Sequence, residues 1–335
     1  MQAFELKRAS SVAQALDIAQ TDDGSQQSGS SMRFLAGGTT LLDLMKLDVE
    51  RPTQIIDIHR LPLAQIEAID GGGVTIGATV RNSDLANHPL IKSHYPVLSQ
   101  ALLSGASAQL RNMATTGGNL LQRTRCVYFR DTAAPCNKRE PGTGCSAIGG
   151  FNRNLAILGA SDHCIATNPS DMSVAMTALE STIHVEGSKG KRSIAIDDFF
   201  LLPGATPERE TTLNPAELIT HVTLPAPAPG SRSVYLKLRD RASYEFALAS
   251  AAVVMTVSSG RIVHIRIALG GVGVKPWRSR EAEAALLGRA PEPAAFQAAA
   301  EAALQSARPQ SQNGFKVELA KRCIQQALRL ATQIS

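Results

Sequence analysis

Four of the five cysteines in this sequence fall within one segment and could bind a metal. They are Cys126, Cys136, Cys145 and Cys164, separated by nine, eight and eighteen residues. Four thiolates can bind a tetrahedral zinc ion or a cubane iron–sulfur cluster. The C-x2-C pair typical of zinc ribbons is absent, and two disulfides would also account for four cysteines. The clustering of the four cysteines predicts a metal centre, either zinc or iron–sulfur. Two disulfides stay open as the alternative.

The segment around these cysteines is rich in proline and glycine, which favours a long irregular loop. From position 111 to 153 there are seven Lys or Arg residues, against only Asp131 and Glu140. This positive charge suits an anionic all-thiolate cluster or an acidic partner, and a solvated surface is the simpler interpretation. The fifth cysteine, Cys323, lies in a helical pattern and is expected to be a small packing residue.

Two glycine turns form a second group of candidate binding residues. In the first, Gly37 and Gly38 lie between an apolar strand pattern and the helical pattern LLDLMKL. Successive backbone amides without a Cβ can hold a diphosphate. The second turn, at 114–119, has the same composition, and a large ligand such as FAD, lying between two subdomains, would need donors from both. The usual NAD and P-loop motifs are absent, and each turn is also explained as a simple tight turn.

Composition places the chain among ordinary soluble globular proteins. It has 335 residues, 44% of them hydrophobic and 19% charged, and a formal net charge of +5. The length exceeds one ordinary core and predicts two or three domains. The basic residues form no long run, which argues against nucleic-acid binding. The sequence shows neither a secretory signal pattern nor an apolar stretch of membrane-spanning length, so any export signal is expected on another chain.

The order of predicted elements indicates an α+β organisation. A short strand and a helix capped by Ser10 or Ser11 come first, and residues 21–31 are expected to form a polar loop. A strand–glycine turn–helix–strand unit follows, and then a hairpin with glycines at its turn. The Pro-Ala-rich stretch 225–230 predicts a domain boundary near residue 226. Beyond it, strands and alanine-rich helices predict a smaller α+β domain over 227–335.

Several blocks, in order along the chain, resemble the FAD-binding subunit of the molybdenum hydroxylases, the family of xanthine dehydrogenase, aldehyde oxidoreductase and carbon monoxide dehydrogenase. The blocks are LAGGTTLLDLMK, IIDI, QLRNMATTGGNL, the Asn168–Asp171 tetrad, ELITHVTLP and YLKLRDRASYEFALASAAV. The cysteine segment is similar to that of the flavin subunit of bacterial periplasmic aldehyde oxidoreductases, in which four such cysteines bind a [4Fe-4S] cluster. The implied fold has a two-subdomain FAD-binding domain over 1–226, with subdomains at about 1–60 and 61–226, and an iron–sulfur loop over 123–168.

The resemblance also implies the site residues. The FAD pyrophosphate would be wrapped by the backbone of Phe34, Leu35, Ala36, Gly37, Gly38, Thr39, Thr40 and Leu41. A second wall would come from Thr115, Gly118 and Asn119. The sugar hydroxyls would meet Asp171, and the flavin ring would meet the Ile219 backbone and Lys237. The four cysteines would bind the [4Fe-4S] cluster, and no catalytic residue is expected on this chain.

The function implied is electron transfer. A partner subunit with a molybdenum cofactor would oxidise an aldehyde, a [2Fe-2S] subunit would relay the electrons, and this chain would pass them from FAD to an external acceptor. One alternative is the flavin subunit of a 4-hydroxybenzoyl-CoA reductase. Another is a non-enzymatic, zinc-stabilised binding module. The resemblance implies a heterotrimer in the periplasm, exported folded with a signal-bearing partner. Free thiolates require a reducing compartment for folding, so the cytoplasm is the alternative location.

Overall fold

A computed structural model describes residues 1–20 and 32–333. The polar stretch 21–31, expected to be a loop, lies outside the described residues. The N-terminal part contains a three-stranded parallel sheet in the order β1-β3-β2. Its elements are β1 (Glu5–Arg8), α1 (Val12–Ala19), β2 (Met32–Leu35), α2 (Leu41–Lys46) and β3 (Gln54–Asp57). The strand–turn–helix–strand unit predicted from the sequence is therefore confirmed as β2-α2-β3. Ser11, one of the two predicted caps, accepts a hydrogen bond from the Gln14 amide at the start of α1.

The middle of the chain forms a second sheet and a group of short helices. The elements are β4 (Ile66–Ala68), β5 (Val74–Gly77), α3 (Asn82–Asn87), α4 (Pro89–His94), α5 (Pro96–Ser104), α6 (Ala108–Arg111), α7 (Thr116–Leu120), α8 (Val127–Arg130), α9 (Ser146–Gly149), α10 (Asp171–Ala178), β6 (Thr182–Gly187), β7 (Gly190–Ala195), α11 (Ile196–Phe199) and β8 (Leu218–Leu224). The strands pair in the order β4-β5-β8-β6-β7, all antiparallel. The predicted hairpin is confirmed as β4-β5, with positive φ angles at Gly71 and Gly72 in its turn.

The third sheet and the last helices form one layer on another. The elements are β9 (Arg232–Leu238), β10 (Ala249–Ser258), β11 (Arg261–Gly270), β12 (Trp277–Arg278), α12 (Arg280–Leu286), α13 (Pro293–Leu304) and α14 (Phe315–Gln333). The strands pair in the order β12-β11-β10-β9. β10 is buried along most of its length because the sheet is covered on both faces. On one face α14 packs against it, and Cys323 lies fully buried in that core, as predicted for an apolar packing residue.

The cysteine segment contains only the short helices α8 and α9 between irregular backbone, as the proline and glycine content predicted. A small core of its own holds it together, and this core also includes Leu44 of α2 and Leu155. The helix α10 follows directly, and Ser170 caps it by accepting a hydrogen bond from the Ser173 amide. The segment thus lies between the first βα unit and the helix that packs against the third sheet.

Candidate functional site

A large cleft opens between the first glycine turn, the second glycine turn and the region around β8. The empty space within it, counted together with the open solvent at its mouth, is about 1680 Å³. All of residues 34–41 line it, as do Thr115, Gly118 and Ile219. The structure therefore brings the first turn, half of the second turn and the β8 position to one place, although they are far apart in sequence.

The two glycine turns touch each other at Gly37. A Cβ added there would overlap the backbone carbonyl of Met113, just before the second turn. The next residue, Gly38, has a φ of +72°, a conformation that glycine adopts without strain. The first turn is therefore restricted to glycine for two separate reasons, close approach at Gly37 and backbone conformation at Gly38. Neither reason was visible in the sequence.

Backbone amides in the first turn are available to a ligand. Within the described part of the chain, no acceptor is recorded for the amides of Gly38, Thr39 and Thr40. Thr40 precedes α2 and makes no side-chain cap. In the second turn, by contrast, the Thr115 hydroxyl accepts from the Gly118 amide at 3.3 Å and caps α7. The first turn fits a diphosphate through its amides, and the second contributes mainly its shape.

Three predicted ligands do not line the cleft: Asn119, Asp171 and Lys237. The side-chain oxygen of Asn119 (Oδ1) accepts a hydrogen bond from the Ser170 hydroxyl at 2.7 Å, which ties α7 to the start of α10. Lys237 of β9 donates to Asp171 at 2.8 Å, and Tyr235 donates to the same carboxylate at 2.5 Å. The Tyr235 and Lys237 side chains are buried and that of Asp171 is 10% exposed. Burial, followed by the negative charge of Asp171, raises the pKa of Tyr235 well above its usual value. Here Asp171 pairs with a protein cation and joins α10 to the third sheet.

A chain of buried charges forms one wall of the cleft, and sequence reasoning missed it. Glu50 accepts from Arg33 at 2.7 Å and from Arg123 at 2.6 Å. Arg123 also donates to Glu210 at 2.6 Å, and Glu210 accepts from Lys138 at 3.0 Å. All five residues line the cleft. They come from separate parts of the chain, so no local pattern signals the network.

Each charge in this network is compensated. Burial opposes ionisation of Glu210, but Arg123 and Lys138 outweigh it and lower the pKa to about 2. Burial likewise opposes the charge of Arg123, and Glu210 with Glu50 raises its pKa. The positive charge predicted for positions 111–153 is thus partly neutralised inside the protein. Three cations (Arg33, Arg123 and Lys138) share two carboxylates (Glu50 and Glu210), so an anionic ligand in the cleft would meet a wall with one positive charge in excess.

The four predicted metal ligands come together in the small core of the cysteine segment. Cys126, Cys136 and Cys164 are buried, Cys145 packs against them, and all are free thiols. Cys136 and Cys145 face each other across an antiparallel bridge. The backbone amides of Tyr128 and Phe129 donate to the Cys126 sulfur, and the Ala166 amide donates to that of Cys164. The disulfide interpretation does not apply to this arrangement.

The thiols lie in surroundings that disfavour unbound thiolates. Burial raises the pKa of Cys164 to about 11, although Lys138 acts in the opposite direction. Burial also raises the pKa of Cys126, and the nearby Cys136 and Cys145 add to this. Four thiols in one core, two of which accept hydrogen bonds from backbone amides, are of the ligand type that an iron–sulfur cluster requires, and iron bound there would stabilise the thiolates. Among the described residues, no group of three or more His, Cys, Asp or Glu side chains is arranged to hold a metal ion, so the cluster stays a prediction.

The cysteine core and the cleft share a wall. Cys164 belongs to the core and also lines the cleft, and so does Leu44 of α2. Lys138, two residues after Cys136, reaches the charged wall through Glu210. A group bound by the cysteines would therefore lie next to a ligand in the cleft.

Comparison with known proteins gives the family. The pattern described as "FAD binding domain in molybdopterin dehydrogenase" matches residues 2–227, and that of the "CO dehydrogenase flavoprotein C-terminal domain" matches 234–331. The chain is 51% identical, over 98% of both chains, to the aldehyde oxidoreductase FAD-binding subunit PaoB of Escherichia coli (strain K12). The chain belongs to the FAD-binding subunits of the molybdenum hydroxylase family. The resemblance inferred from the sequence is confirmed.

Other relatives agree with this assignment. The carbon monoxide dehydrogenase medium chain of Hydrogenophaga pseudoflava is 30% identical over 91% of both chains. A solved structure of carbon monoxide dehydrogenase from that organism has a TM-score of 0.77 and covers 99% of this chain and 98% of its own. Its fold confirms the α+β class predicted from the sequence. Since this family consists of oxidoreductase subunits, the alternative of a non-enzymatic binding module is wrong. No helix among the described residues has the length and apolarity needed to cross a membrane.

Proposed function

We propose that this chain is the FAD and [4Fe-4S] electron-transfer subunit of a heterotrimeric molybdenum-dependent aldehyde oxidoreductase. The single observation that carries the proposal is the position of Cys164. Its thiol belongs to a core with three other cysteines, and the same residue lines the cleft that holds the glycine turn. A cluster bound there and a flavin in the cleft would be neighbours within one chain.

The residues of the cleft divide the work of holding FAD. The amides of Gly38, Thr39 and Thr40 would donate to the diphosphate, and Gly37 keeps the turn against the second wall. On β8, Ile219 would pack along the remainder of the cofactor. When bound, FAD supplies the exchange between two-electron and one-electron chemistry. Arg123 joins Glu50 to Glu210 in this wall, and moving it would deprive each carboxylate of one of its two cationic partners.

The partners follow from the family to which the chain belongs. One subunit would carry the molybdenum cofactor and oxidise the aldehyde, and another would carry [2Fe-2S] clusters between that site and this chain. The relative at 51% identity is named an aldehyde oxidoreductase subunit, which favours aldehyde oxidation over the reductive chemistry of a 4-hydroxybenzoyl-CoA reductase. We propose a periplasmic location, as the sequence resemblance implies. Because the cysteines are free thiols, we infer that the chain folds in the reducing cytoplasm and is exported as a folded complex with a signal-bearing partner.

The test is anaerobic purification of the complex with its natural partner subunits. We expect one FAD and one [4Fe-4S] cluster on this chain, seen as flavin absorbance with a broad brown shoulder and as an electron paramagnetic resonance (EPR) signal on reduction. Bleaching of the flavin by an aldehyde would support the assigned direction. Reduction of 4-hydroxybenzoyl-CoA by the complex, with electrons from an added reduced donor, would support the alternative enzyme. A chain that contains zinc in place of iron would overturn the cluster assignment, and recovery only from the cytoplasmic fraction would overturn the location.

A further inference from the structure

A buried polar junction joins the cysteine segment to the C-terminal domain. It consists of residues 152–157, which lie between Cys145 and Cys164 in sequence, and residues 308–316, which include the start of α14. Three polar side chains in it, Asn152, Asn313 and Lys316, have no exposed surface. Buried polar groups are costly unless every one is hydrogen-bonded. Three such groups at one contact indicate that their hydrogen bonds fix how residues 152–157 sit against residues 308–316.

Lys316 is the centre of the junction. Its ammonium donates to the carbonyls of Asn154 at 3.1 Å, Leu155 at 3.0 Å and Gly271 at 2.5 Å. Burial lowers the pKa of Lys316 to about 7, which shows how strongly the surroundings oppose a charge. No carboxylate is recorded as a partner within the described residues. The side chain therefore binds three carbonyls, two from the cysteine segment and one from Gly271, the residue after β11.

Asparagines complete the junction on both sides. Asn313 donates to the carbonyls of Leu155 at 3.2 Å and Ala156 at 3.4 Å. Asn152 exchanges hydrogen bonds with Gln312, accepting from its amide at 3.0 Å. The Arg308 amide donates to the Ile157 carbonyl at 2.7 Å. The backbone from 152 to 157 is thus held by the C-terminal domain along its whole length.

This backbone leads directly into the cysteine core. The Leu155 side chain packs in the same core as Cys126, Cys136 and Cys164. The Ala156 amide donates to the Ile165 carbonyl at 2.9 Å, next to Cys164. A shift of residues 154–156 would therefore move the core that surrounds the thiols. The junction itself does not line the cleft, whose lining contains none of the residues 152–157 or 308–316.

We propose that Lys316 and Asn313 are positioning residues for the group bound by the four cysteines. They belong to the C-terminal domain, yet they fix the segment that carries Cys145 and Cys164. The inference rests on the proposed function, because it takes the bound group to be an iron–sulfur cluster. The inference goes beyond the proposed function, because retention of the cluster then depends on the C-terminal domain as well as on the FAD-binding domain.

The test uses Lys316→Met and Asn313→Ala in the complete complex. Methionine keeps an unbranched side chain in the pocket and removes the donors to three carbonyls. We expect at least a twofold fall in the [4Fe-4S] EPR signal per chain, or a changed signal from the retained cluster, with FAD per chain and the [2Fe-2S] signal of the partner subunit unchanged. Lys321→Met, on the same helix and outside the junction, is the matched control for the chemical change. Asn313→Ala is the milder variant if Lys316→Met is poorly folded.

A second control separates positioning from general loss of stability. Glu283→Gln weakens the bonds of Glu283 to Ile267 and Arg278 within the same domain, away from the cysteine segment. If it lowers the melting temperature as much as the junction variants and loses iron equally, the positioning role is refuted. Unchanged iron and an unchanged EPR signal in Lys316→Met and Asn313→Ala would also refute it. Absence of a [4Fe-4S] signal from the unmodified complex would instead refute the proposed function.

Discussion

Gly37 and Met113 lie so close that a methyl group on Gly37 would come within 1.9 Å of the Met113 carbonyl oxygen. This contact joins the first glycine turn to the segment that leads into the second. We predict that Gly37→Ala separates the two walls and weakens FAD binding by roughly tenfold or more. FAD per chain and flavin fluorescence on titration would measure the loss. The control is Gly149→Ala, where an added Cβ has no atom within 4 Å. Undiminished FAD affinity in Gly37→Ala would exclude this turn as the diphosphate site.

Replacement of Cys136 by serine should remove the iron–sulfur cluster and leave most FAD in place. A serine hydroxyl is a poorer iron ligand than a thiolate. The glycine turn does not depend on this sulfur for its shape, so FAD should be retained. Iron, sulfide and FAD per chain would be measured after anaerobic purification. Cys323→Ala is the control, since Cys323 lies in the core beneath α14 and should keep the full iron content. Equal iron content in both variants would contradict the assignment of Cys136.

Glu210 should make the free energy of unfolding depend on pH in the acid range. Its pKa is about 2 in the folded protein and 4.5 when unperturbed, so its carboxylate stabilises the fold above pH 4.5. This contribution is lost as pH falls from 4.5 towards 2, because the unfolded chain takes up the proton first. Glu210→Gln leaves Arg123 and Lys138 without a full counter-charge and should cost about 3 kcal/mol at neutral pH. Urea unfolding across this range should show the difference from the unmodified chain shrinking below pH 4.5. A difference that does not change with pH would contradict the role of Glu210.

The buried pair of Asp171 and Lys237 allows a test by double-mutant cycle. Asp171→Asn leaves the Lys237 ammonium buried without its counter-charge and should destabilise the protein by about 3 kcal/mol. Adding Lys237→Met should restore much of the loss, because no unpaired charge then remains. Unfolding free energies and FAD affinity would both be measured. If FAD affinity falls in Asp171→Asn while stability does not, the carboxylate binds the cofactor directly, as the sequence resemblance implies.

A stacked histidine pair on the second sheet should produce a further dependence on pH. His184 and His221 face each other across β6 and β8, with ring centroids 4.1 Å apart and planes within 6°. Burial lowers the pKa of both histidines below 6.5. His221 lowers the pKa of His184 further, and Lys191 lowers the pKa of His221 further. The unfolded chain therefore binds protons first as pH falls through 6.5, and the fold loses stability there. His221→Gln should flatten this loss in urea unfolding, whereas His94→Gln, on an exposed helix end, should not. An unchanged slope in His221→Gln would exclude the pair as the cause.

Much of the fold and of the site could be predicted because its signals are local. The glycine turn between strand and helix, the hairpin glycines near Gly72 and the cap at Ser11 each follow from a few neighbouring residues. Asn119, Asp171 and Lys237 were harder to place for the opposite reason. Their partners, such as Ser170 for Asn119 and Tyr235 for Asp171, come from distant segments. Only the folded chain shows that these polar groups already bond to one another.

By itself the sequence determined the chemistry that this protein can offer: four cysteines in a proline- and glycine-rich segment, two glycine turns and an α+β order of elements. Tertiary structure decided which of these groups meet. It placed Cys164 at the cleft, paired Glu50 with Arg123 across 73 positions of the chain, and buried Lys316 against the cysteine segment. The physical reason is that backbone conformation depends on nearby residues, whereas compensation of buried charge depends on whatever the packing brings together.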